Sequence, residues 1–342
     1  MTILLRPITP IFIGSGEEYY PQDFYIDEED NFYFIDRAKF SRYVQERGLF
    51  DKFIEVSGSQ NIDDLLGFIS KHFDPSCAKS KIEIESDLAQ ILNETYSRPV
   101  EAFIKDRFGF YPIVPGSTLK GLIRTALLDY KVHRFQDRIE QVARKKLEDI
   151  KFKELETIVF CNEHRNRQER LQFDPKLDIL KALFISDLTP KEYRLKIIQP
   201  LNRPFNKDRD NKIPIALEAL VNGEFVGEIR IEEHLLRYDH NLQKNRYFQG
   251  DEALSIDLIK KALKEFFSKI LSIENNRFRV NTIEYEPYMI KLGKHAGAGS
   301  KSLNDIREIW IKQIRKPSHY QFSIWIYKNE KPLGWAKLQF GG

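Results

Sequence analysis

Two stretches of this 342-residue chain combine small residues, cations and bare backbone amides at a spacing suited to holding an anion. In the first, Pro115-Gly116-Ser117-Thr118-Leu119-Lys120-Gly121-Leu122-Ile123-Arg124, the Pro-Gly pair breaks whatever precedes it and Ser117 is a good N-cap. Leu119, Leu122, Ile123, Ala126 and Leu127 recur at the spacing of one helical face, and Lys120 and Arg124 stand four apart on another. A helix start with unsatisfied amides and two cations in its first turns would bind phosphate readily. Gly121 costs about 1 kcal/mol against Ala in a helix interior, which is tolerable where something must approach the backbone. The same pattern also suits a plain amphipathic core helix whose Lys and Arg are solvated.

The second stretch is Leu292-Gly293-Lys294-His295-Ala296-Gly297-Ala298-Gly299-Ser300-Lys301-Ser302. Gly293, Gly297 and Gly299 would let the backbone approach a phosphate, with charge from Lys294, His295 and Lys301 and a hydroxyl from Ser300. The order is not that of a Walker loop, because Lys301 follows Ser300 rather than preceding it. Ser302 would cap a helix over residues 303–311 and aim further amides at the loop. His295 has the chemistry of a general acid or base, yet no partner His or Tyr stands at a telling spacing. Glu17, Glu18 and Asp23 read as solvated loop charges.

Composition narrows the function classes. Lys plus Arg number 54 against 51 acids, for a net charge of +3, so nucleic-acid binding would need a local concentration of cations rather than a basic coat. Aromatic residues make up 13% of the chain, with 25 Phe and 15 Tyr, and serve either packing or base stacking. Cys77 and Cys161 fit neither a CxxC nor a zinc spacing, so no metal site, disulfide or cofactor is expected, and a reducing cytoplasm suits two buried thiols. The opening residues lack the features of a signal peptide, and no run nears the ~18 apolar residues of a membrane span.

The elements that must position these residues form an α+β pattern. Strands are expected at 2–13, ended by Gly14-Ser15-Gly16, and at 23–27, 32–36, 181–188, 192–199 and 283–291. Helices are expected at 37–55, 62–72, 85–106, from the Ser117 cap onward, through 133–160 and at 252–273. Asn222-Gly223 predicts a hairpin between 213–221 and 224–232, and a second hairpin is expected from 320–327 and 333–340. Residues 202–212 read as a polar loop.

Four stretches resemble the RAMP superfamily, the RNA-binding subunits of CRISPR effector complexes. "IVPGSTLKGLIRTALL" looks like its PGSSLKGxIR signature. "LLRPITPIFIGSGEEYYPQDFYID" resembles its TPxHIGSGE opening, "KALFISDLTP" its strand ending in Ser-Asp, and "IKLGKHAGAGSKSL" its glycine-rich loop. The length, the opening and the glycine-rich loop are most similar to the subunit that caps the 3′ end of the guide in type III-A (Csm) complexes. The resemblance implies two ferredoxin-like (RRM-like) halves: residues 1–205, with a helical insertion at about 37–106, and residues 206–342, carrying the glycine-rich loop. It also implies a non-catalytic subunit that binds CRISPR RNA, supports its maturation, and meets a neighbouring RAMP backbone subunit and host ribonucleases, with no membrane partner.

The RNA contacts expected from this are Gly116, Ser117, Lys120, Arg124, Gly293, Lys294, His295, Gly297, Gly299, Ser300 and Lys301, forming a positively lined cradle. Arg203, with Lys207, Arg209 and a wedging Phe205, would form a thumb. The alternative is a processing endoribonuclease of the same fold using His295.

Overall fold

The structure is a computed structural model and describes residues 1–341 other than 60, 95–97, 206–209, 211–214, 279, 281–282, 298, 302, 304–308, 312–315 and 319–322. The chain opens with strands β1 (Thr2–Pro7), β2 (Gly14–Tyr19), β3 (Phe24–Ile26) and β4 (Asn31–Ile35), then helices α1 (Arg37–Glu46), α2 (Phe50–Ser57) and α3 (Ile62–His72). Strand β5 (Ala78–Ile84), helix α4 (Ser86–Glu94) and strand β6 (Val100–Phe103) lead to helices α5 (Gly116–Arg134), α6 (Gln136–Ala143) and α7 (Phe152–Phe160). Strands β7 (Leu183–Ile185), β8 (Thr189–Ile198), β9 (Leu201–Pro204) and β10 (Ala216–Ile231) follow, then helices α8 (Glu233–Tyr238), α9 (His240–Gln243) and α10 (Ile256–Arg277). Strands β11 (Met289–Lys291), β12 (Ile309–Ile311), β13 (Lys316–Ser318), β14 (Ser323–Tyr327), β15 (Lys331–Pro332) and β16 (Trp335–Phe340) complete the described elements.

The main sheet runs β11-β16-β1-β10-β8-β5-β4-β3, with β6 and β7 also pairing to β10 and β2 pairing to β6. Most neighbours are antiparallel, while β6–β10 and β5–β8 are parallel. Helices α5 and α10 pack on one another, and their apolar stripes join Ile3 and Leu5 of β1, Leu217 and Ala219 of β10 and Trp335 of β16 in one core. Ser255 caps α10 by accepting from the Leu258 amide at 3.1 Å. The expected α+β class is therefore the observed one. The expected boundary near residue 205 falls just after β9, and β10 beyond it pairs with strands from before it.

Several elements differ from expectation, each for a local reason. Asn222-Gly223 does not turn a hairpin: β10 runs unbroken through it, 16 residues long, against β8. The register slips between Leu220 and Asn222, and Gly223 has φ +145° with its α-carbon so close to Glu192 that a Cβ would strike that residue's carbonyl. The dipeptide thus supplies a β-bulge. The expected helix 37–55 breaks at Gly48 (φ +67°). The one expected over 85–106 ends at Glu94, and Val100–Phe103 instead fill the slot between β2 and β10, where pairing outweighs propensity. The stretch 133–160 is cut where Arg144 adopts a left-handed conformation (φ +55°). Strands β14 and β16 do not pair with each other: β14 joins β9 and β15, and β16 lies between β1 and β11. The strand expected over 283–291 shortens to β11, and 309–311 form strand β12 where a helix was expected.

Candidate nucleic-acid interface

Helix α5 starts two residues earlier than an N-cap at Ser117 suggests. Pro115 is its N-cap, and the Gly116 amide donates to Asp187 Oδ1 at 2.8 Å. The Ser-Asp pair after β7 is therefore a clamp: Asp187 takes the first amide of α5, and Ser186 Oγ accepts from the Glu228 amide of β10 at 2.9 Å. A Cβ on Gly116 would collide with the carbonyls of Ile185 and Ser186, so glycine is required by this close approach. Ser117, released from capping, is exposed.

The two cations of the helix point into the protein. Lys120 Nζ donates to the Leu183 carbonyl at 2.7 Å, and burial pulls its pKa below the ordinary lysine value. Arg124 donates from Nε to Glu156 at 2.6 Å and from Nη1 to Asp178 at 2.7 Å, with its guanidinium over the rings of Phe160 and Phe173. Burial works against its charge, but Asp178 and Glu156 outweigh burial and raise its pKa. At 20% side-chain exposure Arg124 ties α5 to α7, a structural role in place of the expected anion contact.

The glycine-rich loop docks on the segment after β1. Gly293 has φ +105°, and a Cβ there would meet the Phe12 carbonyl, which accepts instead from the Lys294 amide at 2.8 Å. Leu292 donates to the Gly334 carbonyl and Gly334 to that of Pro10, both at 2.9 Å. Gly297 has φ +88°, Gly299 is buried, and Ser300 Oγ donates to the Gly297 carbonyl at 3.0 Å, folding the loop on itself. Lys294 is exposed and forms an ion pair with Glu101 of β6. His295 is half-buried, with Phe12 5.9 Å away and nearly parallel and Trp325 4.7 Å away edge-on. Lys301 ends a short turn over Gly299–Lys301. The cap expected at Ser302 and residues 304–308 lie outside the described residues.

These parts meet at one cleft of about 600 Å³. Ser117, Thr118, Gly121 and Thr125 form its helical wall. Gly14, Gly16, Glu17 and Glu18, with Glu101 and Ala102, line it from β2 and β6, and Gly293, Lys294 and Ser300 from the loop. A Cβ on Gly121 would meet nothing within 4 Å, so no packing demands glycine there. The expected positive lining is not observed: Lys294 is the one cation among these residues, against three glutamates. Glu17 and Glu18 belong to this wall because Gly14–Tyr19 is a strand paired with β6 rather than the loop expected. Glu101 was hidden inside an expected helix. Among the described residues, no group of three or more His, Cys, Asp or Glu is placed to hold a metal.

Arg203 lies on β9, away from the cleft lining. It pairs with Asp210 at 2.7 Å and Glu330 at 3.0 Å, and the Asp210 hydrogen bond foremost raises its pKa. Phe205 packs near Phe278 and beneath the Arg277 guanidinium, and Lys207 and Arg209 lie outside the described residues.

A model of the RAMP superfamily matches residues 4–276, and the chain belongs to that superfamily. It is similar to a curated protein of Methanocaldococcus jannaschii named "CRISPR system Cms protein Csm5", 27% identical over 304 residues, which cover 86% of this chain and 68% of that protein. A protein of the same name from Streptococcus thermophilus is 36% identical over 138 residues, covering 36% of this chain and 37% of its own length. The fold is shared with a chain in a cryo-EM structure of a Csm–crRNA–target RNA ternary complex of a type III-A CRISPR-Cas system. There the TM-score is 0.71 at 20% identity, covering 99% of this chain and all of that one. It is shared too with the crystal structure of T. onnurineus Csm5, at a TM-score of 0.62 and 24% identity over 79% of this chain and 80% of that one. These likenesses agree with two ferredoxin-like halves. No helix of the described residues is long and apolar enough to cross a membrane.

Proposed function

We propose that this chain is a non-catalytic subunit of a type III-A (Csm) CRISPR effector complex in the cytoplasm. It holds CRISPR RNA near its 3′ end, beside a neighbouring RAMP backbone subunit, and supports guide maturation by host ribonucleases. The observation that carries the reading is the convergence of the signature helix, the glycine-rich loop and the Gly14–Tyr19 strand on one cleft. Its helical wall offers hydroxyls, small residues and an exposed glycine that nothing inside the protein requires. Neutral donors of this kind grip a sugar-phosphate backbone without reading bases, which suits a guide of any sequence. Lys120 and Arg124 serve this site by fixing the helix from behind, and Lys294 is its direct cation.

Two variants test the reading in filter binding to guide RNA, with the isolated chain and with the assembled complex. Gly121→Leu fills the open wall and is expected to weaken binding at least tenfold while circular dichroism stays unchanged and the melting temperature does not fall. Lys294→Ala is expected to lower the salt slope of binding by about 1. Unaltered RNA affinity in Gly121→Leu would remove the cleft from consideration.

The endoribonuclease alternative rests on His295. That ring is packed between Phe12 and Trp325 and is absent from the cleft lining, which disfavours proton transfer to a substrate there. Clean cutting of repeat RNA by the purified chain, abolished in His295→Ala, would reverse the assignment.

A further inference from the structure

The link between β6 and α5 is a short hairpin over residues 104–113, closed where the Ile113 amide donates to Ile104 and the Asp106 amide to Tyr111. Its tip carries Phe108 and Phe110 at 70% and 74% exposure, the two most exposed phenylalanines among the described residues. Rings of that size are normally covered. The tip is nonetheless firmly built. The Asp106 carboxylate accepts from the amides of Phe108, Phe110 and Tyr111 at 2.6–3.1 Å, and Gly109 takes φ +73°. At the base, Lys105 Nζ bonds the buried Glu218 carboxylate at 2.7 and 2.8 Å and the Tyr19 hydroxyl at 2.9 Å. The two rings are 5.9 Å apart and tilted by 32°.

The charge around the rings selects the kind of occupant. Exposed Arg107 directly precedes Phe108 in sequence, and Lys79 Nζ is 3.6 Å from where a Cβ of Gly109, the residue between the two rings, would stand, while the nearby Asp106 is already used by backbone amides. Aromatic faces flanked by cations suit a single-stranded nucleic acid better than an apolar protein surface. The elements on either side of the hairpin line the cleft: β6 brings Glu101 and Ala102 to it, and α5, which begins three residues after the hairpin, brings Ser117 and Thr118.

We propose that the Phe108–Phe110 tip is a stacking platform for unpaired bases of single-stranded RNA where the strand passes the cleft rim. This rests on the reading of the chain as an RNA binder and adds a base-contacting site to a backbone-contacting one.

The test uses single-stranded RNA carrying 2-aminopurine, and a matched strand with abasic positions, against the full chain and its Phe108→Ala, Phe110→Ala and double variants. Each ring removed is expected to weaken binding of the intact strand about tenfold. Fluorescence quenching should be lost in the double variant, and the abasic strand should not distinguish the proteins. Phe108→Leu with Phe110→Leu keeps apolar bulk without an aromatic face and should behave like the alanine pair. Equal RNA binding by wild type and the double alanine variant overturns the platform and leaves the RNA reading standing. No RNA binding by the wild type overturns both. Unchanged RNA binding with loss of co-purification of a neighbouring subunit makes the tip a protein contact and overturns the platform.

Discussion

Two glycines in one helix do opposite things. Gly116 has no room for a side chain, because the end of β7 presses on it, whereas Gly121 faces open space five residues later. Gly116→Ala is therefore expected to destabilise the fold by roughly 1–3 kcal/mol, the usual cost of overpacking. Gly121→Ala should stabilise it by about 1 kcal/mol through helix propensity. Denaturant midpoints of the two variants check this, and shifts of the same sign would contradict the geometry. The cations nearby teach a related lesson. Spacing correctly placed Lys120 and Arg124 on one side of the helix, but no spacing could tell that Asp178 and Glu156, 54 and 32 residues away in sequence, would claim Arg124.

At the level of elements, the long amphipathic helices were legible because many turns repeat the same signal. The helix expected at 252–273 and the Pro-Gly start correspond to observed features of α10 and α5. Short strands were harder. Val100–Phe103 and β5 are set by neighbours far away in sequence, and Asn222-Gly223 is equally good chemistry for a turn and for a bulge. Of the candidate site, the convergence of helix and loop was legible from their motifs, while the acid wall was not, since it depends on strand pairing.

Sequence also gave no sign of the ion pair that joins α10 to the sheet. Lys291 of β11 and Glu274 of α10 are both 1% exposed, and Trp335 Nε1 donates to the same carboxylate at 3.1 Å. Burial depresses the Lys291 pKa while Glu274 opposes the shift. Glu274→Ala leaves an ammonium buried without its carboxylate and is expected to cost about 3–5 kcal/mol in urea unfolding. Replacing Lys291 by Met together with Glu274 by Leu should restore most of that. A mild single variant would show that the pair contributes little.

Across the whole molecule, stability is divided unevenly. Helices α1–α3 enclose a separate small core of Phe40, Val44, Leu66, Phe68, Ile69 and Cys77, apart from the main one around α5 and α10. Amide hydrogen exchange should accordingly find residues 37–77 opening at lower free energy than Leu122–Leu128 or Ile259–Ile270. Uniform protection across both would mean that the insertion is cooperative with the rest.

The place of β1 in the sheet has one more consequence. Its two partners, β10 and β16, are translated more than two hundred and more than three hundred residues after it. During synthesis the apolar Ile3 and Leu5 therefore emerge long before either partner strand exists to shield them, and the seam closes only once β16 has left the ribosome. Such a topology makes folding slow and leaves the nascent β1 segment dependent on transient protection until then.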